Sequence, residues 1–200
     1  MTSPNDSSEK PVILFFDKAR NHIIGAGYEP EIDYVQDRFF KDMDERSLCW
    51  EAAFVILASS GLKEQIVRKN FEKLRDAYVN DDDDIFAVIP NKRQREAIRY
   101  VWMHPAEILQ AIRDIPNDAD RIEFLDTLPQ IGPITKFHLA RNLGIDCIKP
   151  DIWLERLAEK YGYINPVQMC FEIQAERPEF RIGTIDLILW RYCNLVRALS

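Results

Sequence analysis

Apolar residues recur at the spacing of a helix over most of this chain, and this pattern limits it to an all-α fold. Residues 47–58 are apolar on nearly every side, which is typical of a buried helix. Residues 63–79 are apolar along one face, and Asn91 suits the cap of a following helix. Further helices are expected over residues 105–112, 119–128, 134–143, 151–161 and 184–198. Residues 12–16 and 85–89 have the composition of strands, but both runs are short and isolated.

The composition of the 200 residues, 46% of them hydrophobic, fits one globular unit or two lobes. No apolar run reaches the ~20 residues that a membrane span needs, so no membrane association is expected. Residues 1–10 are polar, unlike a secretory signal, and they predict a disordered tail. The four cysteines lie far apart and form no CxxC pair. Together these features favour an intracellular protein with reduced thiols.

The formal net charge of -7 argues against a protein that binds nucleic acid. The acidity is concentrated, however, in two segments. Residues 1–50 hold ten acidic and six basic side chains, and Asp81–Asp84 adds four acids in a row. The rest of the chain is therefore close to neutral. Because phosphate contact depends on the local potential of a surface, the total charge does not exclude it.

Residues 128–135 predict a tight turn between two helices. Pro129, Gly132 and Pro133 favour the turn, and Pro133 suits the start of the second helix. Gly144 suits a left-handed stop at the end of that helix. A helix start carries free N–H groups and a partial positive charge, so it can bind a phosphate without basic side chains. The same residues would also serve an ordinary turn between antiparallel helices.

The hairpin segment, Leu-Pro-Gln-Ile-Gly-Pro-Ile-Thr, resembles that of the endonuclease III-like DNA glycosylases, Leu-Pro-Gly-Val-Gly-x-x-Thr/Ala. The run Asp151–Ala158, Asp-Ile-Trp-Leu-Glu-Arg-Leu-Ala, is similar to the family's Asp-Thr-His-Val-x-Arg-Val-Ala. With both motifs at a family-like separation, the chain resembles the helix-hairpin-helix (HhH-GPD) glycosylase superfamily. The resemblance implies that Asp151 is the catalytic carboxylate, because it matches the family's invariant aspartate.

Two positions depart from the family pattern. Gln130 replaces the first hairpin glycine, so the turn must place it in an ordinary backbone region or accept strain. Ile134 stands where members that also cleave the DNA strand carry their Schiff-base lysine, and it cannot act as an amine nucleophile. The resemblance therefore implies a monofunctional enzyme in which water attacks the sugar. Lys136 is close in sequence, but its side chain is expected to point elsewhere.

The resemblance implies a two-lobed helical fold, with Asp151 at the mouth of a cleft between the lobes. A central lobe over residues 44–145 would end in the hairpin, and a second would combine residues 11–43 with 146–200. The expected reaction is hydrolysis of the N-glycosidic bond of a damaged, mispaired or modified base. The expected partner is double-stranded DNA with that base flipped out. A monomer would bind it through hairpin residues Gln130, Ile131, Gly132, Pro133, Ile134, Thr135 and Lys136.

Three further residues are candidates for a pocket or phosphate contact. Ser60 lies where relatives often insert a glutamine into the gap left by the flipped base, but serine is too short to fill it. Lys149 fits a phosphate contact or a solvated position, and Trp153 fits a pocket wall or the core. A basic cluster fits either a DNA-flanking surface or a solvated helix face; it comprises Lys92, Arg93, Arg95 and Arg99.

No cofactor is expected to be required. The three histidines show no metal-ligand spacing. Cys170 and Cys193 stand alone, without the loop that holds the iron–sulfur cluster of some relatives. A monovalent cation at the hairpin is a further expectation from the resemblance.

Three alternatives stay open on the sequence alone. One is a DNA-binding module that keeps the fold without the activity, and another is a bifunctional glycosylase/lyase that uses Lys136. The third is a helical protein-interaction domain whose acidic N-terminal third makes the contact. The excised base is also open among uracil, alkylated purines and oxidised guanine.

Overall fold

The computed structural model describes residues 9–59, 61, 63–149 and 151–196. All regular secondary structure among them is helical, which confirms the all-α fold. Two short 3-10 segments cover Phe40–Asp42 and Ile85–Val88. The α-helices of the described residues are α1 Pro11–Gly25, α2 Glu29–Gln36, α3 Glu45–Ala58, α4 Glu64–Val79, α5 Lys92–Met103, α6 Pro105–Asp114, α7 Asp118–Leu125, α8 Thr135–Asn142, α9 Ile152–Lys160, α10 Pro166–Glu176 and α11 Ile182–Val196.

The two runs with strand-like composition are helical. Residues 12–16 lie inside α1, where Val12, Ile13 and Phe16 are buried. Residues 85–88 form a 3-10 segment that is capped by Asp84. The Asp84 side chain accepts a hydrogen bond from the Phe86 N–H. A strand needs a partner for its backbone groups, and neither run has one, so the local helical bonds prevail.

The described residues divide into two compact units, one over residues 38–145 and one formed by residues up to 37 and from 146 onward. In the first unit α3 is the central helix and packs against α4, α5, α6 and α8. Its residues Leu48, Ala52, Val55 and Ile56 are completely buried. A helix that is apolar all round must be surrounded by others, so α3 is the core of this unit.

The second unit is built around α11, which packs against α1, α2, α9 and α10. Every residue from Ile182 to Leu189 is buried. The buried Arg191 pairs through two hydrogen bonds, of 2.8 and 2.7 Å, with the Glu31 carboxylate of α2. No helix described in the structure is long and apolar enough to cross a membrane.

Local signals set several helix ends as the sequence predicts. The Asn91 side chain accepts hydrogen bonds from the Arg93 and Gln94 N–H groups at the start of α5. Gly144 has φ +81° after α8, the left-handed stop expected of it. A Cβ there would lie 2.6 Å from backbone atoms of Phe39 and Phe40, so only glycine fits. The helix that contains Arg121 ends at Leu125, three residues earlier than expected, and the chain then turns.

Candidate functional site

The hairpin between α7 and α8 closes on itself through short-range hydrogen bonds. The Ile131 N–H donates to the Leu128 carbonyl at 3.1 Å, and the Lys136 N–H donates to the Gly132 carbonyl at 2.9 Å. The Ile131 side chain is buried, which fixes the turn to its unit. The predicted helix–turn–helix arrangement of this segment is therefore confirmed.

Thr135 locks the middle of the turn. Its Oγ1 accepts a hydrogen bond from the Gly132 N–H at 2.7 Å and lies 3.3 Å from the Gly132 carbonyl, to which it donates. The Gly132 N–H is therefore used inside the turn. The N–H groups of Ile134 and Thr135 have no acceptor among the residues that the structure describes. Pro133 has no N–H, so these two groups are the open donors at the start of α8.

The sequence leaves Gln130 either an ordinary backbone conformation or a strained one, and Gln130 adopts the strained one. Its φ is +61°, in the left-handed region that favours glycine. Its side chain is exposed. The turn therefore keeps the backbone course of the glycine that Gln130 replaces, at the cost of local strain.

Lys136 faces α7. Its side chain is 9% exposed, and its Nζ lies 2.7 Å from the Glu123 carboxylate and 3.6 Å from that of Asp126. The hydrogen bond to Glu123, with the charges of both acids, raises the pKa of Lys136 above its ordinary value. The ammonium therefore ties the two helices of the hairpin together in its protonated form. Ile134, in contrast, is 57% exposed.

Asp151 lies at the start of α9, in extended backbone with φ −144° and ψ 138°. Its Oδ1 accepts a hydrogen bond from the Trp153 N–H at 2.9 Å, so the residue caps the helix. Its Oδ2 accepts no hydrogen bond from any described residue. The side chain is half-buried. Capping and catalysis are thus compatible here, because one oxygen holds the carboxylate in place and the other is open.

Asp151 also lies near α11. Burial first, and then the Asp151 charge, raise the pKa of the Cys193 thiol to about 11. All four cysteines are buried free thiols. Burial also raises the pKa of the Cys49 and Cys170 thiols. A buried thiol with a raised pKa is a weak nucleophile, so these three groups serve packing.

The residues beside Asp151 pack within the second unit, to which they belong. The Nζ of Lys149 lies 5.6 Å from the centre of the Trp190 ring of α11. Trp153 is half-buried against the hydrophobic core, with the Arg156 guanidinium 5.5 Å from its ring centre. Ser60 lies outside the described residues.

Asp146 is a residue that the sequence analysis missed. Its carboxylate accepts hydrogen bonds from the first two N–H groups of α11, those of Ile182 at 3.3 Å and Gly183 at 2.8 Å. The two partners are 36 and 37 residues away in sequence, so no local pattern marks the contact.

The basic cluster of α5 is largely paired. The Arg99 guanidinium donates two hydrogen bonds to the Asp84 carboxylate, at 2.8 and 2.7 Å. The Lys92 Nζ lies 3.8 Å from Glu96, and Arg95 donates to the Ile89 carbonyl. Two of the four cations therefore pair with acids, and the Arg95 contact with a carbonyl leaves its charge in place.

A cavity of about 330 Å³ opens between α3 and α4 in the first unit. Its walls hold no carboxylate and none of the site residues predicted from the sequence, so its chemistry does not match the expected reaction. No cluster of His, Cys, Asp or Glu that could hold a metal occurs in the part of the chain that is described. The cavity is lined by Arg46, Trp50, Phe71, Arg75, Tyr78 and Val79.

Comparison with known proteins identifies the fold. No family model matches the chain. No curated protein matches it either. A solved structure of a Methanocaldococcus jannaschii 8-oxoguanine glycosylase/lyase, in complex with 15mer DNA containing 8-oxoguanine, is similar with a TM-score of 0.59 and 16% sequence identity. The match covers 94% of this chain and 99% of that one. The chain therefore has the helical fold of the HhH-GPD DNA glycosylases.

Proposed function

We propose that this chain is a monofunctional DNA N-glycosylase, which hydrolyses the bond between an altered base and its deoxyribose. The observation that carries the proposal is the carboxylate of Asp151, held by one oxygen at the start of α9 with its other oxygen open. This carboxylate belongs to a chain with a glycosylase fold and follows a hairpin motif at the family's spacing.

The proposed chemistry depends on the negative charge of Asp151. Cleavage of the N-glycosidic bond builds positive charge on the sugar, and a fixed carboxylate beside C1′ stabilises that charge. The open Oδ2 can also accept a proton from the attacking water. Since the hydrogen bond from the Trp153 N–H already holds Oδ1, the carboxylate does not have to be reorganised during the reaction.

The hairpin would bind a phosphate of the DNA backbone. The open N–H groups of Ile134 and Thr135 stand at the positive end of the α8 dipole. This kind of contact needs no basic side chain, so it suits a chain with a net charge of -7. A monovalent cation bound by carbonyl oxygens of the turn would belong to the same contact. The proposed partner is double-stranded DNA, bound by a monomer.

The proposed absence of lyase activity is argued from the side chains of two residues. Ile134 has no amine to form a Schiff base. The Lys136 ammonium is nearly buried against Glu123 and Asp126, and its raised pKa keeps it protonated. An amine nucleophile needs the opposite environment, in which the pKa is lowered. We therefore assign the attack on the sugar to water.

The test uses duplexes that each carry one altered base, beginning with 8-oxoguanine, the lesion in the DNA of the similar structure. Wild type and Asp151→Asn are incubated with each duplex, and any abasic sites are then split with hot alkali. We expect wild type to give cleavage only after alkali, and Asp151→Asn to be slower by roughly a thousandfold. Asparagine can still cap α9, so DNA affinity and thermal stability should change little.

Asp44→Asn is the matched control, because Asp44 caps α3 in the same way, by accepting a hydrogen bond from the Ser47 N–H. It should leave excision unchanged. A fully active Asp151→Asn would refute the assigned role. Strand cleavage without alkali would support the bifunctional alternative, and DNA binding without excision on the whole panel would support the non-catalytic module.

A further inference from the structure

We propose that α11 positions the Asp151 carboxylate, because the segment that leads to it is bound along this helix through Asp146 and Lys149. Both are then positioning residues, neither of which needs to touch the reacting atoms. The expected effect on rate rests on the proposed glycosylase function, whereas the attachment itself can be tested without it.

The first attachment is at the start of α11. The Asp146 Oδ1 accepts a hydrogen bond from the Gly183 N–H at 2.8 Å, and its Oδ2 accepts one from the Ile182 N–H at 3.3 Å. The Arg181 Nε lies 3.9 Å from Oδ1 and adds an opposite charge. A carboxylate that holds both N–H groups of a helix start is fixed in position and orientation.

The second attachment is two turns further along α11. The Lys149 Nζ lies 5.6 Å from the centre of the Trp190 ring, within the range of a cation–π contact. Trp190 itself packs against the hydrophobic core of the unit. One turn beyond Trp190 on the same helix, burial and then the Asp151 charge raise the pKa of the Cys193 thiol.

Both attachments are on the same helix. The Asp146 side chain meets α11 at position 183 and the Lys149 side chain meets it at position 190. The chain just before Asp151 is therefore attached to α11 at two points.

The attachment matters because the reaction rate depends strongly on the position of the carboxylate. A displacement of about 1 Å in a catalytic group can cost about a hundredfold in rate. Release of Asp146 would free the segment before Asp151 without removing any group from the reacting centre. A role limited to fold stability would instead lower the melting temperature and leave the rate of the folded enzyme intact.

The experiment compares Asp146→Ala with Asp146→Asn and with Asn165→Ala as a matched control. Asn165 caps α10 in the same unit by accepting a hydrogen bond from the Gln168 N–H at 2.9 Å, and it does not touch α11. Three quantities are measured on the full chain. They are the single-turnover excision rate at saturating DNA, the DNA affinity, and the hydrogen exchange of the Trp153 amide, which the Asp151 carboxylate protects.

We expect Asp146→Ala to slow excision by roughly 10- to 100-fold with DNA affinity within about twofold of wild type. The Trp153 amide should exchange faster in this variant. Asp146→Asn keeps an acceptor for the Gly183 N–H and should stay within about threefold of the wild-type rate. Asn165→Ala should lower stability only.

Equal excision rates in Asp146→Ala and Asn165→Ala would overturn the proposal, and so would a loss confined to DNA affinity. If Asp146→Ala does not fold, the same measurements are made on Lys149→Met. A loss of excision rate smaller than that expected of Asp146→Ala, together with faster exchange of the Trp153 amide, would support the proposal. If wild type excises no base at all, the proposed function fails separately. Trp153 exchange then decides alone whether α11 holds the segment.

Discussion

The starts of α8 and α9 are built in opposite ways. No side chain caps α8, its first turn holds no acidic residue, and the N–H groups of Ile134 and Thr135 are open within the described structure. At the start of α9, the Asp151 carboxylate accepts from the Trp153 N–H, and Glu155 adds a second acid in the first turn. The start of α8 leaves two N–H groups open, and the start of α9 fills one N–H group with its own carboxylate.

Under the proposed function, the difference separates phosphate binding from chemistry. A carboxylate at the start of α8 would repel a phosphate and would occupy the N–H groups proposed to bind it. A carboxylate at the start of α9 gains a fixed position from the same donors and still keeps one oxygen free. The same local element, a helix N-terminus, can therefore serve either as an anion site or as a holder for a reactive group. The residue at the cap decides which.

The largest effect is expected from Ile134→Lys, which gives the open start of α8 a reactive amine. Ile134 is 57% exposed. The resemblance of the hairpin motif implies that this position corresponds to the Schiff-base lysine of bifunctional glycosylases. The variant should form a covalent DNA adduct that borohydride traps, whereas wild type should form none. The adduct is measured as a band shift on a denaturing gel.

Ile134→Met is the control for Ile134→Lys, because it changes the same side chain without adding an amine. If borohydride trapped an adduct with wild type but not with Lys136→Met, Lys136 would be a lyase residue. That result would contradict the comparison of the two helix starts.

A smaller effect is expected from Thr135→Val, which has nearly the same shape but lacks the hydroxyl. The Gly132 N–H loses its acceptor inside the turn. An amide that is left without a partner costs about 1–3 kcal/mol of the free energy of unfolding. The melting temperature should fall by several degrees, and Thr135→Ser should restore most of it. An unchanged melting temperature would mean that water satisfies this amide and that the hydroxyl does not hold the turn.

The smallest effect is expected from Gln130→Gly. Glycine adopts φ +61° without strain, so the free energy of unfolding should rise by up to about 1 kcal/mol, partly offset by the greater freedom of glycine in the unfolded chain. Denaturant titration measures this change, and Gln130→Asn should gain less. A loss of stability in Gln130→Gly would show that the glutamine side chain stabilises the turn by more than its backbone strain costs.

The sequence predicts the helices well where the signal is local. The burial of α3, the cap at Asn91 and the left-handed stop at Gly144 each depend on residues within a few positions. The strand-like reading of residues 12–16 failed because β-branched and aromatic residues suit a buried helix face equally well. Helices α2 and α10 were not predicted from the sequence.

The candidate site is predictable only in part, because only some of its features depend on residues that are close in sequence. The two motifs mark the hairpin and Asp151 directly in the sequence. The contacts that hold them do not follow from local pattern. Lys136 pairs with Glu123 across the turn, and Asp146 binds N–H groups 36 and 37 residues further along. Such partners become visible only when the helices are packed.

The division of the chain into its two units also has a consequence for synthesis. The unit over residues 38–145 is continuous, so it can fold while the ribosome is still adding later residues. The unit that carries Asp151 joins segments from both sides of it, and its core helix α11 reaches residue 196. A nascent chain would therefore complete the unit that contains the hairpin before it completes the unit that contains Asp151.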